Sequence, residues 1–298
     1  MVLLRIMDDR FMADLWCGAL DQAGIPHLLR TYQDTAYDGL YVTQKGYASL
    51  YVDPQHLERA REIDRDLLAG LEAAPLTLEQ LARSLDHTLL DPAAGPQDLE
   101  RHLEQCLEMG CAAACVSPWM VPRAAQALAG SPVAVCTVVG FPLGTESAQN
   151  KLHAARELVQ AGATELDVVL NRGLYLGGRP QEALQEIQDL ARAVKPAKTK
   201  LILEVSALGA EATREIARQL LETEVDFVKT GTGYFGPATL EGVALLTEEL
   251  RGKVKVKAAG GIRDLETARN LLKAGAHRLG TSSGFSLWRR LKETQREA

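Results

Sequence analysis

The chain has 298 residues, 46% of them hydrophobic and 24% charged, the balance of an ordinary soluble globular protein. Its formal net charge of −6 excludes a general nucleic-acid binder, which needs an excess of Lys and Arg on one face, but leaves room for a local phosphate pocket. No apolar run approaches the roughly eighteen residues of a membrane span. The start MVLLRIMDDRF turns acidic too soon for a signal peptide, so a cytoplasmic protein without a membrane or nucleic-acid partner is expected. Cys17, Cys106, Cys111, Cys115 and Cys136 form no CxxC pair and sit mostly in apolar segments, which reads as buried free thiols. The six histidines show no H-x-x-x-H spacing, and no metal set stands out.

Residues 1–70 read as a small α+β domain of order strand, helix, two strands, helix (βαββα). VLLRI is a short strand, and FMADLWCGALDQAG is an amphipathic helix ending at Gly24. PHLLRTY and ASLYVD bracket a loop holding Tyr37, Asp38 and Gly39. PQHLERAREIDRDLLAG opens with Pro54 and closes with Gly70, as helices often do. LEAAPLT, residues 71–77, is predicted as a linker, and the second domain, 78–298, starts at Leu78.

From there strand alternates with helix. The predicted strands are SLDHTLL, AACVSP, VAVCTVVGFP, ELDVVL, KLILEVSA, FVKTGTG, KVKAAGG and RLGTSS. Helical stretches such as QDLERHLEQCLEMG, ESAQNKLHAARELVQAG and PQEALQEIQDLARAV lie between them, several ending in a glycine before the next strand. Eight such units over about 220 residues suit a (β/α)8 TIM barrel. An open doubly wound sheet is the alternative, but no G-x-G-x-x-G opens a helix after a first strand.

Two lysines end β-branched runs that break into glycines: Lys229 in VDFVKTGTG and Lys257 in KVKVKAAGGIR. A lysine at the end of a buried strand pairs, loses its proton or does chemistry, unless it simply reaches solvent. About thirty residues apart, the two fit one strand–helix–strand unit and one face of a parallel sheet. There one ammonium lowers its neighbour's pKa and makes it a nucleophile toward a carbonyl. Alternation along each strand turns Lys257, Asp167, Glu204 and Lys229 into the lumen and sends Val254, Val256, Leu166, Val168 and Leu170 toward the helices. Asp167 is then an acid/base candidate or a structural counter-charge, and Glu204 a member of a charge network with the lysines. Asp86 could cap a loop at the end of the first strand, and His87, with no obvious partner, is read as structural or exposed. The turns carrying Gly231, Gly233, Gly260, Gly261, Gly280, Ser282 and Ser283 can cradle a phosphate through free backbone N–H groups, at the loops where barrels often bind one.

The segments LDHTLL, ELDVVLN, VKTGTG, VKAAGGIR and LGTSS, in that order, resemble deoxyribose-phosphate aldolase over roughly residues 78–295. The resemblance implies a class I aldolase without metal or cofactor, which cleaves 2-deoxy-D-ribose 5-phosphate reversibly to D-glyceraldehyde 3-phosphate and acetaldehyde. It implies Lys229 as the Schiff-base lysine, Lys257 as the lysine that tunes it, and Asp167 as an acid/base residue working through water. By the same resemblance Asp86 stands near the lysine pair, and Gly233, Gly260, Gly261, Gly280, Ser282 and Ser283 bind the phosphate. The partners are a phosphorylated sugar and an aldehyde, and a homo-oligomer is expected. The alternatives are another Schiff-base barrel aldolase and a catalytically silent sugar-phosphate sensor. The turn TGTGYFGPAT departs from the family, with Tyr234 and Phe235 where some members carry a lysine and others Phe-Gly. The first domain more weakly resembles small prokaryotic domains described as signal-transducing proteins, through YVDPQHLERAREI; a regulatory, docking or oligomerisation role is expected for it.

Overall fold

The structure, a computed structural model, describes residues 1–7, 10–31, 48–73 and 76–297. The chain divides into two compact units, Met1–Pro75 and Leu76–Ala298.

In the first unit, strands β1 (Val2–Met7), β2 (His27–Thr31) and β3 (Ala48–Val52) form an antiparallel sheet of order β1-β3-β2. The helices Arg10–Gln22 and Leu57–Ala73 complete the predicted βαββα order. Met7, Trp16, Leu20, Leu50 and Val52 make its core. The Trp16 indole N–H donates to Asp64 at 2.7 Å, and the same carboxylate pairs with Arg5. Gly70 does not stop its helix: the chain stays helical to Ala73, so the segment expected as a linker begins inside the helix. A mid-helix glycine costs only about 1 kcal/mol, which the packed apolar face outweighs. The expected loop of Tyr37, Asp38 and Gly39 lies outside the described residues.

The second unit is a closed barrel of eight parallel strands: β4 (Leu85–Leu89), β5 (Ala113–Val116), β6 (Ala134–Val139), β7 (Glu165–Val169), β8 (Lys198–Ile202), β9 (Phe227–Lys229), β10 (Lys255–Ala259) and β11 (Arg278–Thr281). Each pairs with its neighbours in sequence, and β11 closes onto β4. All eight overlap predicted strands, though β8 starts two residues before the predicted KLILEVSA and stops at Ile202. Helices not anticipated are Leu78–Ser84, Val121–Ala127, Arg172–Leu176, the closing Gly284–Glu297 and the short Val205–Leu208, which occupies the end of the predicted strand KLILEVSA. Thr77 starts the first of these with a capping box, its hydroxyl accepting from the Gln80 N–H and the Gln80 side chain accepting from its own N–H. Gly110, at φ +60°, ends helix Pro96–Met109 in the left-handed stop expected of it.

The alternation holds. Leu166, Val168, Leu201, Val228, Val256 and Leu279 point outward into one continuous core against the helices. The lumen is divided. On the β5–β6 side Ala113, Cys115, Cys136 and Val138 form a small apolar cluster, whereas the other strands bring charges inward. Cys17 is half-buried and the other four thiols are buried. Among the described residues no helix is long and apolar enough to cross a membrane.

Candidate active site

β9 and β10 are adjacent, and Lys229 and Lys257 are register partners across them. Both amines donate to the same oxygen, Oδ2 of Asp167 on β7, at 2.8 Å each, which holds the two nitrogens within twice that distance of each other. The three residues expected to act together therefore meet at one point. Lys257 and Asp167 are fully buried. Lys229 alone of the three opens onto a cavity of about 570 Å³.

The charge network is larger than sequence reading anticipated. Asp86, mid-strand in β4 and not a loop cap, pairs with Lys257 at 2.6 Å and with Arg278 at 2.6 Å. Lys200 on β8 is a third buried lysine, reaching Glu165 at 2.7 Å, Asp167 Oδ1 at 3.0 Å and Asp86 at 3.2 Å. Lys200, Glu165 and Arg278 were missed, yet the alternation that turned Asp167 inward on β7 also turns Glu165 inward two residues earlier. Applied to β8 it turns Lys200, and applied to β11 it turns Arg278.

Glu204 is a correction. It lies past the end of β8 in a left-handed conformation, φ +61°, and among the described residues no ion pair joins it to a lysine. Its carboxylate instead accepts the Thr232 backbone N–H at 2.5 Å and packs on Gly231, holding the loop after β9. Lys200 occupies the network position expected of it, because Lys200 lies within β8 while Glu204 lies beyond it. His87 is neither exposed nor without a partner: it is buried, 3.0 Å from Gln105 Oε1, and stacked on His102.

Electrostatics follow from these distances. Burial opposes the charge on Asp167, but Lys200, Lys229 and Lys257 outweigh it and hold its carboxyl well below the usual range. Asp86 is likewise lowered, burial being overcome by Lys200, Lys257 and Arg278. Burial works against the Lys257 ammonium, yet Asp167 and Asp86 raise its pKa. The resting centre thus holds ionised carboxylates against a firmly cationic Lys257. Among the described residues two groups could ligate a metal by spacing alone, Cys115 with Cys136 and Asp167, and Asp86 with Cys136 and Glu165. The Lys200 ammonium already stands among these atoms, 3.0 Å from Cys136 Sγ and 2.7 Å from Glu165. It takes the place a cation would fill.

The cavity wall joins Lys229 to the predicted phosphate turns: Gly260, Gly261, Gly280, Ser282 and Ser283 all line it. Gly233 is not on the wall; it backs Gly260, whose Cβ, if present, would stand 3.2 Å from the Gly233 Cα. Ser282 and Ser283 form the turn before helix Gly284–Glu297, and Ser283 N–H donates to Thr281 Oγ1 at 2.9 Å. The free N–H groups of a helix start favour an anion there. Arg263 adds a basic side chain to the same wall, a residue quoted within a motif but given no part by sequence reading. Phe141, also unanticipated, faces the Lys229 amine at 5.8 Å from its ring centroid and meets the Tyr234 ring edge-on at 5.7 Å. Tyr234, at the departure noted in sequence, lines the cavity mouth, and Phe235 stacks under Arg172 at 4.3 Å.

The barrel is similar to known proteins. Residues 81–290 match the model of the DeoC/LacD family aldolases. A deoxyribose-phosphate aldolase of Thermosynechococcus vestitus is 42% identical over 210 residues, 70% of this chain and 96% of that protein. One from Brevibacillus brevis is 40% identical over 204 residues, 68% of this chain and 92% of that protein. Among solved structures, the tetrameric deoxyribose phosphate aldolase of Aeropyrum pernix superposes with a TM-score of 0.70 at 31% identity, covering 77% of this chain and 98% of its own. The aldolase QR15 does so with the same score at 35% identity, covering 73% and 98%. This chain belongs to the DeoC/LacD family of aldolases.

Proposed function

We propose that the barrel is a deoxyribose-phosphate aldolase that cleaves 2-deoxy-D-ribose 5-phosphate reversibly to D-glyceraldehyde 3-phosphate and acetaldehyde, through a Schiff base on Lys229. One observation carries the assignment of the nucleophile. Lys229 and Lys257 share a single carboxylate oxygen, but only Lys229 opens to the cavity that holds the phosphate turns. A fixed cation beside an amine disfavours a second positive charge, so Lys257, kept cationic by Asp167 and Asp86, favours a nucleophilic amine at its neighbour.

The steps then follow. Lys229 adds to C1 of the open-chain sugar, and loss of water gives an iminium. This cation is an electron sink, so the C2–C3 bond breaks as the C3 hydroxyl gives up its proton. The electron pair moves into an enamine on Lys229, and the carbonyl of glyceraldehyde 3-phosphate forms. Protonation of the enamine and hydrolysis release acetaldehyde and the free lysine. Lys257 is the nearest proton donor, and Asp167 aligns both amines while its negative charge favours the iminium. Asp167 is fully buried, so any proton it exchanges with the substrate travels through Lys257 or a water. The backbone at Gly260 and Gly261, Gly280, and the Ser282–Ser283 turn receive the phosphate, with Gly233 supporting Gly260 from behind.

A homo-oligomer in the cytoplasm is the form in which we expect the enzyme to work, and the first unit is read as an accessory domain with a docking or regulatory task. Borohydride reduction in the presence of acetaldehyde, followed by peptide mapping, tests the reading. The modified lysine is expected to be Lys229, and Lys229→Leu should lose both trapping and turnover. A label on any other lysine overturns the assignment.

A further inference from the structure

His87 has no part in the chemistry above. It follows Asp86 on β4, so alternation turns its side chain away from the lumen and toward helices Pro96–Met109 and Gly284–Glu297. The ring is 3% exposed, stacks on His102 with centroids 4.4 Å apart, and sets Nε2 3.0 Å from Gln105 Oε1. The Gln105 amide can accept from Nε2 or donate to it, so the proton goes where the surroundings of the second nitrogen, Nδ1, place it. That second nitrogen is buried without a well-formed hydrogen bond, facing the Thr281 backbone and 3.0 Å from where a Cβ on Gly284 would lie. Thr281 is also the register partner of His87 across β11 and β4. Thr281 and Gly284 are the two residues that flank Ser282 and Ser283. One buried ring therefore touches both ends of the turn that lines the cavity.

Two features mark this contact as more than filling. A buried polar nitrogen left unbonded costs free energy, and native proteins keep few of them. The approach also requires glycine: Gly284 has no positive φ to explain its identity, and a Cβ there would press on the imidazole.

We propose that His87 is a positioning residue for the phosphate end of the substrate: it fixes the Ser282–Ser283 turn between Thr281 and Gly284, and so sets the affinity for the phosphorylated sugar. This rests on the placement of the phosphate at that turn given above. The phosphate contributes binding wherever the turn is correctly held, whereas the chemistry at Lys229 depends on side chains of β4, β7, β9 and β10 that face the lumen, the opposite side of the sheet from the His87 ring.

Steady-state kinetics with 2-deoxyribose 5-phosphate and with unphosphorylated 2-deoxyribose test it. His87→Leu should raise KM for the phosphorylated sugar about tenfold with kcat held, and leave kcat/KM for 2-deoxyribose within about twofold. His87→Asn, which restores a short polar atom near the place of Nδ1, should recover most of the affinity. His87→Gln, which reaches Gln105 instead, should not. Gly284→Ala should act in the same direction, and the double variant with His87→Leu should be no worse than either alone, as expected of coupled neighbours. A parallel loss on both sugars, or an unchanged KM, overturns the proposal and leaves His87 a core residue. Ser283→Ala separates the two layers. If it fails to shift the preference between the sugars, the phosphate placement itself is wrong; if it shifts the preference while the His87 variants do not, only the role of His87 falls.

Discussion

Gly280 makes room for Lys257: a Cβ on Gly280 would stand 2.9 Å from the lysine Cε and 3.1 Å from the Ala259 Cβ. The glycine expected to serve a phosphate thus also lets Lys257 lie flat across β11 on its way to Asp86 and Asp167. Gly280 has no positive φ, so alanine suits the backbone; the flexible lysine must move most and Ala259 by a few tenths of an ångström. Gly280→Ala should therefore melt within a few degrees of the parent yet lose about a hundredfold in kcat, since displacements of about 1 Å carry such penalties. A parental kcat would show that Lys257 has another route to its carboxylates.

Lys257→Leu tests the second amine directly. It removes a buried cation from Asp86 and Asp167 and a proton donor from beside Lys229. Maximal rate should fall by about a hundredfold or more, the usual weight of a positioned acid or base. A parental maximal rate removes Lys257 from the mechanism.

How far the sequence reached depended on where strand alternation could be anchored. It was secure for Val254, Val256 and Lys257, and for Leu166, Asp167 and Val168, because outward aliphatic residues fix which face is which. The same rule failed for Glu204, since β8 stops at Ile202 and a left-handed residue follows; a rule of period two holds only within the strand. Lys200, Arg278 and Glu165 obey the same rule but lie deeper than the glycine turns at the strand ends, so no local motif marks them. Phe141 and the contact between His87 and Gly284 were not legible. Each depends on distant segments meeting in space, and nothing in local spacing announces that.

The stacked histidines make stability depend on pH. Burial, and next the neighbouring His87, push His102 down from 6.5 to about 3, and burial also lowers His87. Between those values the unfolded chain binds a proton that folded His102 refuses. Stability contributed by the neutral ring is therefore complete above about 6.5 and declines as pH falls toward 3. The depressed carboxylates, Asp86 and Asp167, act in a separate window, beginning only below their ordinary 3.8. Urea midpoints should accordingly fall from pH 7.5 to pH 5 for the parent, and fall less for His102→Phe, which keeps a flat ring but cannot titrate. His87 leaves a residual slope in that variant. Equal slopes in the two proteins would place the acid sensitivity elsewhere.

Lys200 ties the lower part of the centre together, and its removal should expose what holds the Asp167 carboxylate in place. It is fully buried and meets Glu165, Asp167 and Asp86 within 3.2 Å, so Lys200→Met leaves three buried carboxylates short of a cation. Breaking one side of a buried ion network typically costs about 3–5 kcal/mol, because the surviving charges stay desolvated. Glu165 is the partner at 2.7 Å and lies further from the two amines at the mouth, so neutralising it relieves repulsion without touching Asp167. The double variant Lys200→Met with Glu165→Gln should recover part of the stability lost by the single one. Its activity should recover less, because Asp167 Oδ1 still lacks the contact that orients Oδ2 toward Lys229 and Lys257. Denaturation and turnover measured on the same samples separate the two effects. If the double variant is no more stable than Lys200→Met alone, charge balance is not what Lys200 supplies, and its packing among the strands would have to be.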